Sequence, residues 1–456
     1  MYRRFPHSLC GVLFLAMMLF VGCDAIHRDQ ADPGITAEVE MAVFEGGYGI
    51  QWHQKVAEQY NETHTEEGIR VKLWGDPRVI EKVKPRLLRG DPPDLMLMKY
   101  LPIWRLVAAD KLAPLNAALD RPLPGRNRPW REEFIPGTLD TYTSEGQVYA
   151  IPSAFGAYAC WYDARLFREH GWVPPKTWAE FETLCEAIKA AGIAPLAYQG
   201  KYPIYAWWTF QTLIHRCGGL TAVNRINALE PGAFSHPDVV WAAGLLQKLG
   251  TEYFQKGALA MTHTESQLQF INNKAAMIFC GLWLSNEMKA STPPTFEMRC
   301  FNVPPIEGGK GNPALFNGAG WEYIFMSKTA RYPEATFDFL RYMVSPEQAA
   351  DMGRSVGVIT AMKGATPPEA VTPPLRSALK MIDGAEGIFR IRLEDLLLSW
   401  RVQVMRPNTT ALLSGTITPE EYCKRLDEGV VVAVADPDAI IPPHVAYDPA
   451  AFGETP

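Results

Sequence analysis

The sequence predicts an α/β protein, and three features carry that prediction. Apolar strand patterns alternate with helical patterns through the first third of the chain. A second strand–helix unit begins near residue 146. The last third is punctuated by helix starts built on Ser or Thr followed by Pro.

In chain order, "VEMAVFEGG" (39–47) reads as a strand that stops at glycines. Trp52, Val56 and Tyr60 then fall at helical spacing in "IQWHQKVAEQY". Ile69, Val71 and Leu73 alternate in a second strand. "RVIEKVKPRLLRG" (78–90) is helical but interrupted by Pro85, and "PDLMLMKY" (93–100) is a short third strand. A β-α-β-α-β order implies a parallel sheet with right-handed crossovers. Ligands of such sheets sit beyond the carboxyl ends of the strands. Here those ends carry Glu45, Gly46, Trp74, Asp76 and Tyr100, which are binding candidates and also fit ordinary turns.

The segment "GQVYAIPSAFGAYACWYDARLF" (146–167) opens the second unit. A helix follows over "TWAEFETLCEAIKAAG", with Thr177 as N-cap, Glu180 completing a capping box and Gly192 ending it. Aromatic-rich "YPIYAWWTFQ" (202–211) leads into an apolar helix. Later, "ATFDFLRYMVSPEQAADMG" reads as two helices, the second capped by Ser345 with Pro346 in its first turn. "TALLSGTITPEEYCKRLDEG" gives two more, the second starting at Thr418. The Pro-rich stretch 366–374 reads as a surface loop, and the Pro- and Ala-rich tail 435–456 is expected on the surface. No repeat or low-complexity tract is present.

A chain of 456 residues with 47% apolar content can bury a large core and suggests two or three domains. Its 44 basic and 50 acidic side chains are intermixed without a basic stripe, which argues against a nucleic-acid partner. Thirteen tryptophans suit a large core, and equally a site for ring-faced ligands.

The N-terminus reads as an export signal. Arg3 and Arg4 precede an apolar run from Leu9 to Val21, too short for a comfortable membrane span. "LFVGC" (19–23) resembles a lipobox, with Phe20 where Leu is commonest, so residues 1–22 are expected to be removed and Cys23 acylated. Cleavage would take away two cations and no acid, moving the net charge from −6 to −8. Residues 23–37 read as a polar linker from the anchor. The remaining cysteines, Cys160, Cys185, Cys217, Cys280, Cys300 and Cys423, show no CxxC or metal spacing. Disulfides and six buried thiols both fit them.

Four stretches in order, "RLLRGDPPDLMLM", "GQVYAIPSAFGAYACWYDARLFREHGWVPPKTWAEF", "NNKAAMIFCGLWLS" and "RYPEATFDFLRYMVSPEQA", resemble family 1 of the extracellular solute-binding proteins of carbohydrate ABC importers. The resemblance spans roughly residues 40–430. "FEGGYG" (44–49) is similar to N-acetylglucosamine- and chitobiose-binding members. The resemblance implies a two-lobed, type II periplasmic-binding-protein clamshell with hinge strands. Carried onto this chain, it puts residues 38–150 and 297–328 in lobe one, and 151–296 and 329–456 in lobe two. It also implies a carbohydrate ligand, ABC permease subunits as partners, a monomeric receptor tethered outside the cytoplasm through Cys23, and no cofactor or metal.

Sugars present C–H faces and hydroxyl edges, so binding needs flat aromatic platforms beside planar hydrogen-bonding groups. By resemblance Trp283, after "CGL", is the cleft-lining aromatic. Trp321 follows "FNGAG", which contains Asn317. Phe155 and Trp161 lie just past the first hinge crossing, with Tyr158 as an alternative contact. Helical geometry separates Trp207 from Trp208 by about 100°. Trp207 is expected to face ligand, with Gln211 one turn on, and Trp208 to pack. A core role remains open for each tryptophan.

"GRSVG" (353–357) matches the nucleophile-elbow pattern but has helix before Ser355 rather than strand. No phosphate-binding loop or HExxH is present. Two other readings fit an aromatic cleft with carboxylates: a secreted glycoside hydrolase, and a sugar sensor for a membrane kinase.

Overall fold

The computed structural model describes residues 35–46, 48–98, 101–437 and 439–455. Its frame is one mixed sheet that runs through both halves of the molecule. The first half begins with β1 (Ala37–Phe44), which pairs in parallel with β2 (Ile69–Asp76) on one side and β3 (Leu95–Leu97) on the other. Val39, Met41 and Val43 point to one core and Ala42 to a second, so the sheet is covered on both faces. Helix α1 (Gln51–Thr63) buries Trp52, Val56 and Tyr60 on the first face. Helix α2 (Val79–Arg89) puts Val83 and Leu87 on the second. Pro85 does not interrupt α2; it lies on the solvent side, where the lost backbone bond leaves no buried carbonyl without water.

Strand β4 (Ala150–Asp163) is long enough to serve two cores. Its first part pairs with a later strand, and residues from Tyr158 onward pair with strands of the second half. That half contains helix α3 (Trp178–Ala190), β5 (Ala194–Ala197), helix α4 (Ile204–Asn227), β6 (Ala275–Gly281) and β7 (Met298–Phe301). Thr177 caps α3 by accepting from the Glu180 N–H, while the Glu180 carboxylate accepts from Lys176 rather than from Thr177. Helix α4 is buried almost all round. It breaks at Gly219, whose φ of 65° is open to glycine at little cost.

Strand β8 (Leu315–Met326) returns antiparallel to β4. It begins beside β9 (Gly387–Phe389) in the second half and ends beside β3 in the first. A third crossing, residues 358–362, lies along β4, with Phe155 N–H donating to the Ile359 carbonyl at 2.8 Å. The fold is therefore a two-lobed α/β clamshell, with β4 and β8 as continuous hinge strands.

Packing divides the chain differently from the expected boundaries in two places. Residues 298–301 pair with the distal part of β4, so they belong to lobe two, and the return to lobe one runs along β8 itself. Helices α5 (Pro333–Met343) and α6 (Pro346–Val356), expected in lobe two, pack on α1. Tyr60 Oη donates to Asp338 at 2.7 Å, and Trp52 Nε1 to Asp351 at 3.1 Å. The tail runs over the surface as expected, with most of its described residues exposed, and is pinned near its end. Glu454 is buried and accepts from His215 and from the Asn312 N–H, each at 2.8 Å, and also from the Leu220 N–H, closing the break in α4. The Pro-rich stretch 366–374 holds a short 3₁₀ turn and the first residues of α7 (Pro373–Asp383). All six cysteines in the described residues are buried free thiols.

Candidate functional site

Four aromatic rings meet on one side of the hinge sheet. Trp283 follows β6, Trp321 lies in β8, Tyr158 in β4 and Trp208 at the start of α4. Trp283 and Trp321 stack with centroids 5.3 Å apart and planes 16° apart. Tyr158 and Trp208 stack at 4.2 Å, and each meets Trp283 edge-on, at 5.6 and 5.8 Å. All four are half-buried, so they form an apolar wall rather than a sealed core.

Glycine lets the indoles lie flat on the strands. A Cβ on Gly281 would fall 2.1 Å from the Trp283 ring, and one on Gly156 would fall 3.2 Å from Trp321. The phenol oxygen of Tyr158 and Nε1 of Trp208 are buried with no hydrogen-bond partner among the described residues. Such groups are uncommon in folded proteins.

Acidic groups border the wall. Glu322, next to Trp321, is buried. The Tyr48 hydroxyl, just beyond β1, is pushed up by burial and then by the carboxylates of Glu322 and Glu287. Glu287 accepts from Gln267 Nε2 at 2.8 Å. Among the described residues no group of His, Cys, Asp or Glu could hold a metal ion. Ser355 stands at the end of α6 with no strand before it, which is the wrong context for a nucleophile elbow.

The structure brings Trp283 and Trp321 together and places several other candidates elsewhere. The expected orientation of the two adjacent tryptophans is reversed. Trp207 is fully buried and donates to Glu394 at 2.9 Å, whereas Trp208 joins the aromatic wall. Gln211 shares the buried face of Trp207 and donates to the same carboxylate at 3.1 Å. Burial pushes the Glu394 carboxyl above its ordinary range. Phe155 and Trp161 are core residues, because β4 is covered on both faces; Trp161 Nε1 donates to the Cys280 carbonyl at 3.2 Å. Asn317 is buried and donates to the Trp208 carbonyl at 2.9 Å, so it touches the wall only through the backbone.

In lobe one, Trp74 Nε1 donates to Glu40 at 2.9 Å, and Glu40 also accepts from both terminal nitrogens of Arg86. Asp76 accepts from the Arg78 N–H at 2.6 Å and pairs with Lys82. Glu45 is half-buried, with its N–H donating to the Asp76 carbonyl, and Gly46 lies against the Phe44 ring. Tyr100 and Cys23 lie outside the described residues. Trp208, expected to pack, was not among the candidates, and Tyr48 lies in the "FEGGYG" turn at the end of β1.

Comparison with known proteins agrees with this architecture. A diacetylchitobiose-binding protein of Streptomyces coelicolor is 27% identical over 364 residues, 76% of this chain and 74% of its own. A multiple sugar-binding protein of Streptococcus mutans is 26% identical over 388 residues, 82% and 86% of the two chains. Among solved structures, a chitin oligosaccharide binding protein superposes with a TM-score of 0.72 at 22% identity, over 87% of this chain and 99% of its own. The apo-form of RafE from Streptococcus pneumoniae gives 0.71 at 20%, over 88% and 99%. The model of one family matches residues 47–350, well over half of the chain. This protein belongs to the bacterial extracellular solute-binding proteins.

Proposed function

We propose that this protein captures a mono- or oligosaccharide outside the cytoplasm and delivers it to the membrane permease of an ABC importer, performing no reaction itself. The observation that carries the reading is the wall of Tyr158, Trp208, Trp283 and Trp321, assembled at the hinge from four separate segments. Flat aromatic faces beside carboxylates and unpartnered hydrogen-bonding atoms are what a sugar ring requires. Relatives named for diacetylchitobiose and multiple sugars support carbohydrate as the class, and N-acetylated oligosaccharides are the first to try. Tyr48, Glu45 and Tyr100 are the lobe-one side chains we expect to meet the ligand on closure. Closure is a population shift, driven only by contacts that exist in the closed form. Acylation at Cys23, in "LFVGC", would tether the receptor to the membrane.

The test is a thermal-shift screen with diacetylchitobiose, raffinose and maltotetraose. A ligand at about 100 times its Kd adds about 2.7 kcal/mol to the folded state. Trp283→Ala and Trp321→Ala should abolish that gain while the empty protein still unfolds cooperatively. Cleavage of the bound sugar, or variants that keep the full shift, would refute the assignment.

A further inference from the structure

The lobes leave a gap along one edge of the hinge sheet. Strand β8 pairs with β9 through Leu315–Asn317 and with β3 through Ile324–Met326, while β4 takes its other edge. Strand β9 runs parallel to β8 and β3 runs antiparallel, so their carboxyl ends face each other across residues 318–323. Ligands of open α/β sheets sit beyond carboxyl ends of strands.

The chain leaving β9 enters that gap, and side chains rather than a strand hold its backbone. Arg390 N–H donates to Tyr447 Oη at 3.1 Å, and the Arg390 carbonyl accepts from Asn227 at 2.8 Å. Ile391 N–H donates to Gln211 at 3.3 Å and Arg392 N–H to Asn227 at 2.9 Å. Gln211 and Asn227 belong to α4, whereas Tyr447 comes from the tail. Tyr447 is itself clamped: its N–H donates to Asn224 at 2.9 Å, and its carbonyl accepts from the same amide at 2.8 Å. Further on, Glu454 is anchored at the break in α4. Pinned at two points, the tail is a strap drawn over lobe two.

What the strap secures is Arg390. Phe389, the residue before it, pairs with Asn317, whose amide donates to the Trp208 carbonyl of the wall at 2.9 Å. The Arg390 guanidinium donates to Asp395 at 2.7 Å and pairs with Glu394 at 3.5 Å. Burial acts to lower its pKa, the two carboxylates more than offset that, and the phenols of Tyr158 and Tyr323 bear on it next. Arg390 is half-buried, as the wall is. Its Nε and the Tyr158 hydroxyl both lack a partner among the described residues. Buried donors are rarely left unpaired, and saccharide oxygens are acceptors of the right kind.

Resting on the sugar reading of this site, we propose that Arg390 donates hydrogen bonds to oxygen atoms of the bound saccharide, and that Tyr447 is a positioning residue for that contact. A guanidinium is a planar fork whose bonds depend on direction, so it needs a fixed backbone beneath it. Tyr447 supplies this by holding the Arg390 N–H, without touching the ligand.

The test compares Tyr447→Phe, Arg390→Lys and the double variant in the full chain, with diacetylchitobiose, raffinose and maltotetraose as probes. Arg390→Lys leaves a cation beside Glu394 and Asp395 but removes the fork. It should bind the probe that shifts the wild type about 10- to 100-fold more weakly. Tyr447→Phe removes a single oxygen. It should lower the unfolding midpoint by no more than about 3 °C and weaken binding about 3- to 10-fold. If Tyr447 acts through Arg390, the affinity lost in Tyr447→Phe is not lost again in the Arg390→Lys background. A merely structural hydroxyl would move the midpoint and leave affinity alone. Wild-type affinity in Tyr447→Phe overturns the proposal, whether or not Arg390→Lys folds. So does wild-type affinity in Arg390→Lys, or losses that simply multiply in the double variant, while Trp283→Ala still reports the sugar site. If no probe shifts the wild type, the sugar reading fails and this inference falls with it.

Discussion

Adding one methyl group to Gly281 tests whether the flat seat of Trp283 matters. In Gly281→Ala the new Cβ would stand 2.1 Å from the nearest ring carbon of Trp283, with two more ring carbons within 2.4 Å. Carbon atoms in contact settle at about 3.5–4.0 Å, so the indole must lift by about 1.5 Å. Gly281 carries an ordinary strand conformation, so alanine adds no backbone strain and the effect is purely steric. A shift of that size breaks the 5.3 Å stack on Trp321 and disturbs the edge contacts with Tyr158 and Trp208. Overpacking of this kind costs about 1–3 kcal/mol, and a misplaced platform should weaken ligand binding by about tenfold or more. Gly156→Ala is the graded control. Its Cβ would meet Trp321 at 3.2 Å, which asks for only a few tenths of an ångström, so its affinity should fall by no more than about threefold. Calorimetric titration with the sugar found in the thermal screen reads both variants. Repeating Gly281→Ala in a Trp283→Ala background closes a double-mutant cycle, because the methyl then has no indole to displace. If the Gly281 methyl costs as much without the indole as with it, or if Gly281→Ala binds like the wild type, the steric account of the site is wrong.

Three further outcomes follow from the buried groups. Glu394→Ala leaves Trp207 Nε1 and Gln211 Nε2 without their acceptor, and should lower urea stability by about 2–4 kcal/mol. Burial holds the His53 imidazole at about 4, against an ordinary value of 6.5; the unfolded chain then takes up a proton between those pH values that the folded chain refuses. Stability should thus be fully present above pH 6.5 and fall by about 2 kcal/mol by pH 5 on account of this group, and His53→Leu should flatten the urea-midpoint profile in that window. Burial pushes the Cys300 thiol up to about 12, and the other five described cysteines are more deeply enclosed still. Peptide mapping after brief iodoacetamide treatment at pH 8 should therefore find all six unmodified until denaturant is added.

The strand–helix alternation of lobe one was legible because each helix there buries a single face and the short apolar strands are separated by turn signals. Trp52, Val56 and Tyr60 repeat at the helical period, and the caps at Thr177, Ser345 and Thr418 are local signals read without tertiary context. The orientation of Trp207 and Trp208 was not legible, because α4 runs through the interior and is apolar nearly all round. Periodicity then carries no face, and the choice falls to Glu394, far away in the sequence, which captures the Trp207 indole. Phe155 and Trp161 failed for a related reason. A hinge strand covered on both sides shows no alternation that separates core from cleft. The lobe boundaries were misplaced where strand partners decide them. Met298–Phe301 carries nothing in its own composition to say that it joins β4 at Cys160–Asp163 rather than the first lobe.

The placement of the aromatic residues also bears on how capture is linked to closing. Tyr158 lies in the part of β4 that pairs with β6, and Trp208 and Trp283 pack on the cores of the second half. A ligand that touched these three alone would bind the open and closed forms equally and shift neither. Trp321 and Tyr48 pack instead against the lobe-one core, so on the proposed reading they supply the difference in affinity between the two forms. Substitutions in the two groups should then separate. Loss of Trp208 or Trp283 weakens capture itself, while loss of Tyr48 leaves residual binding to an open form. Small-angle scattering with saturating sugar distinguishes them: Tyr48→Ala should bind without contracting, and Trp208→Ala, once saturated, should contract like the wild type. If both contract fully, the free energy of closure comes from contacts other than these rings, and the hinge rather than the wall sets the balance between forms.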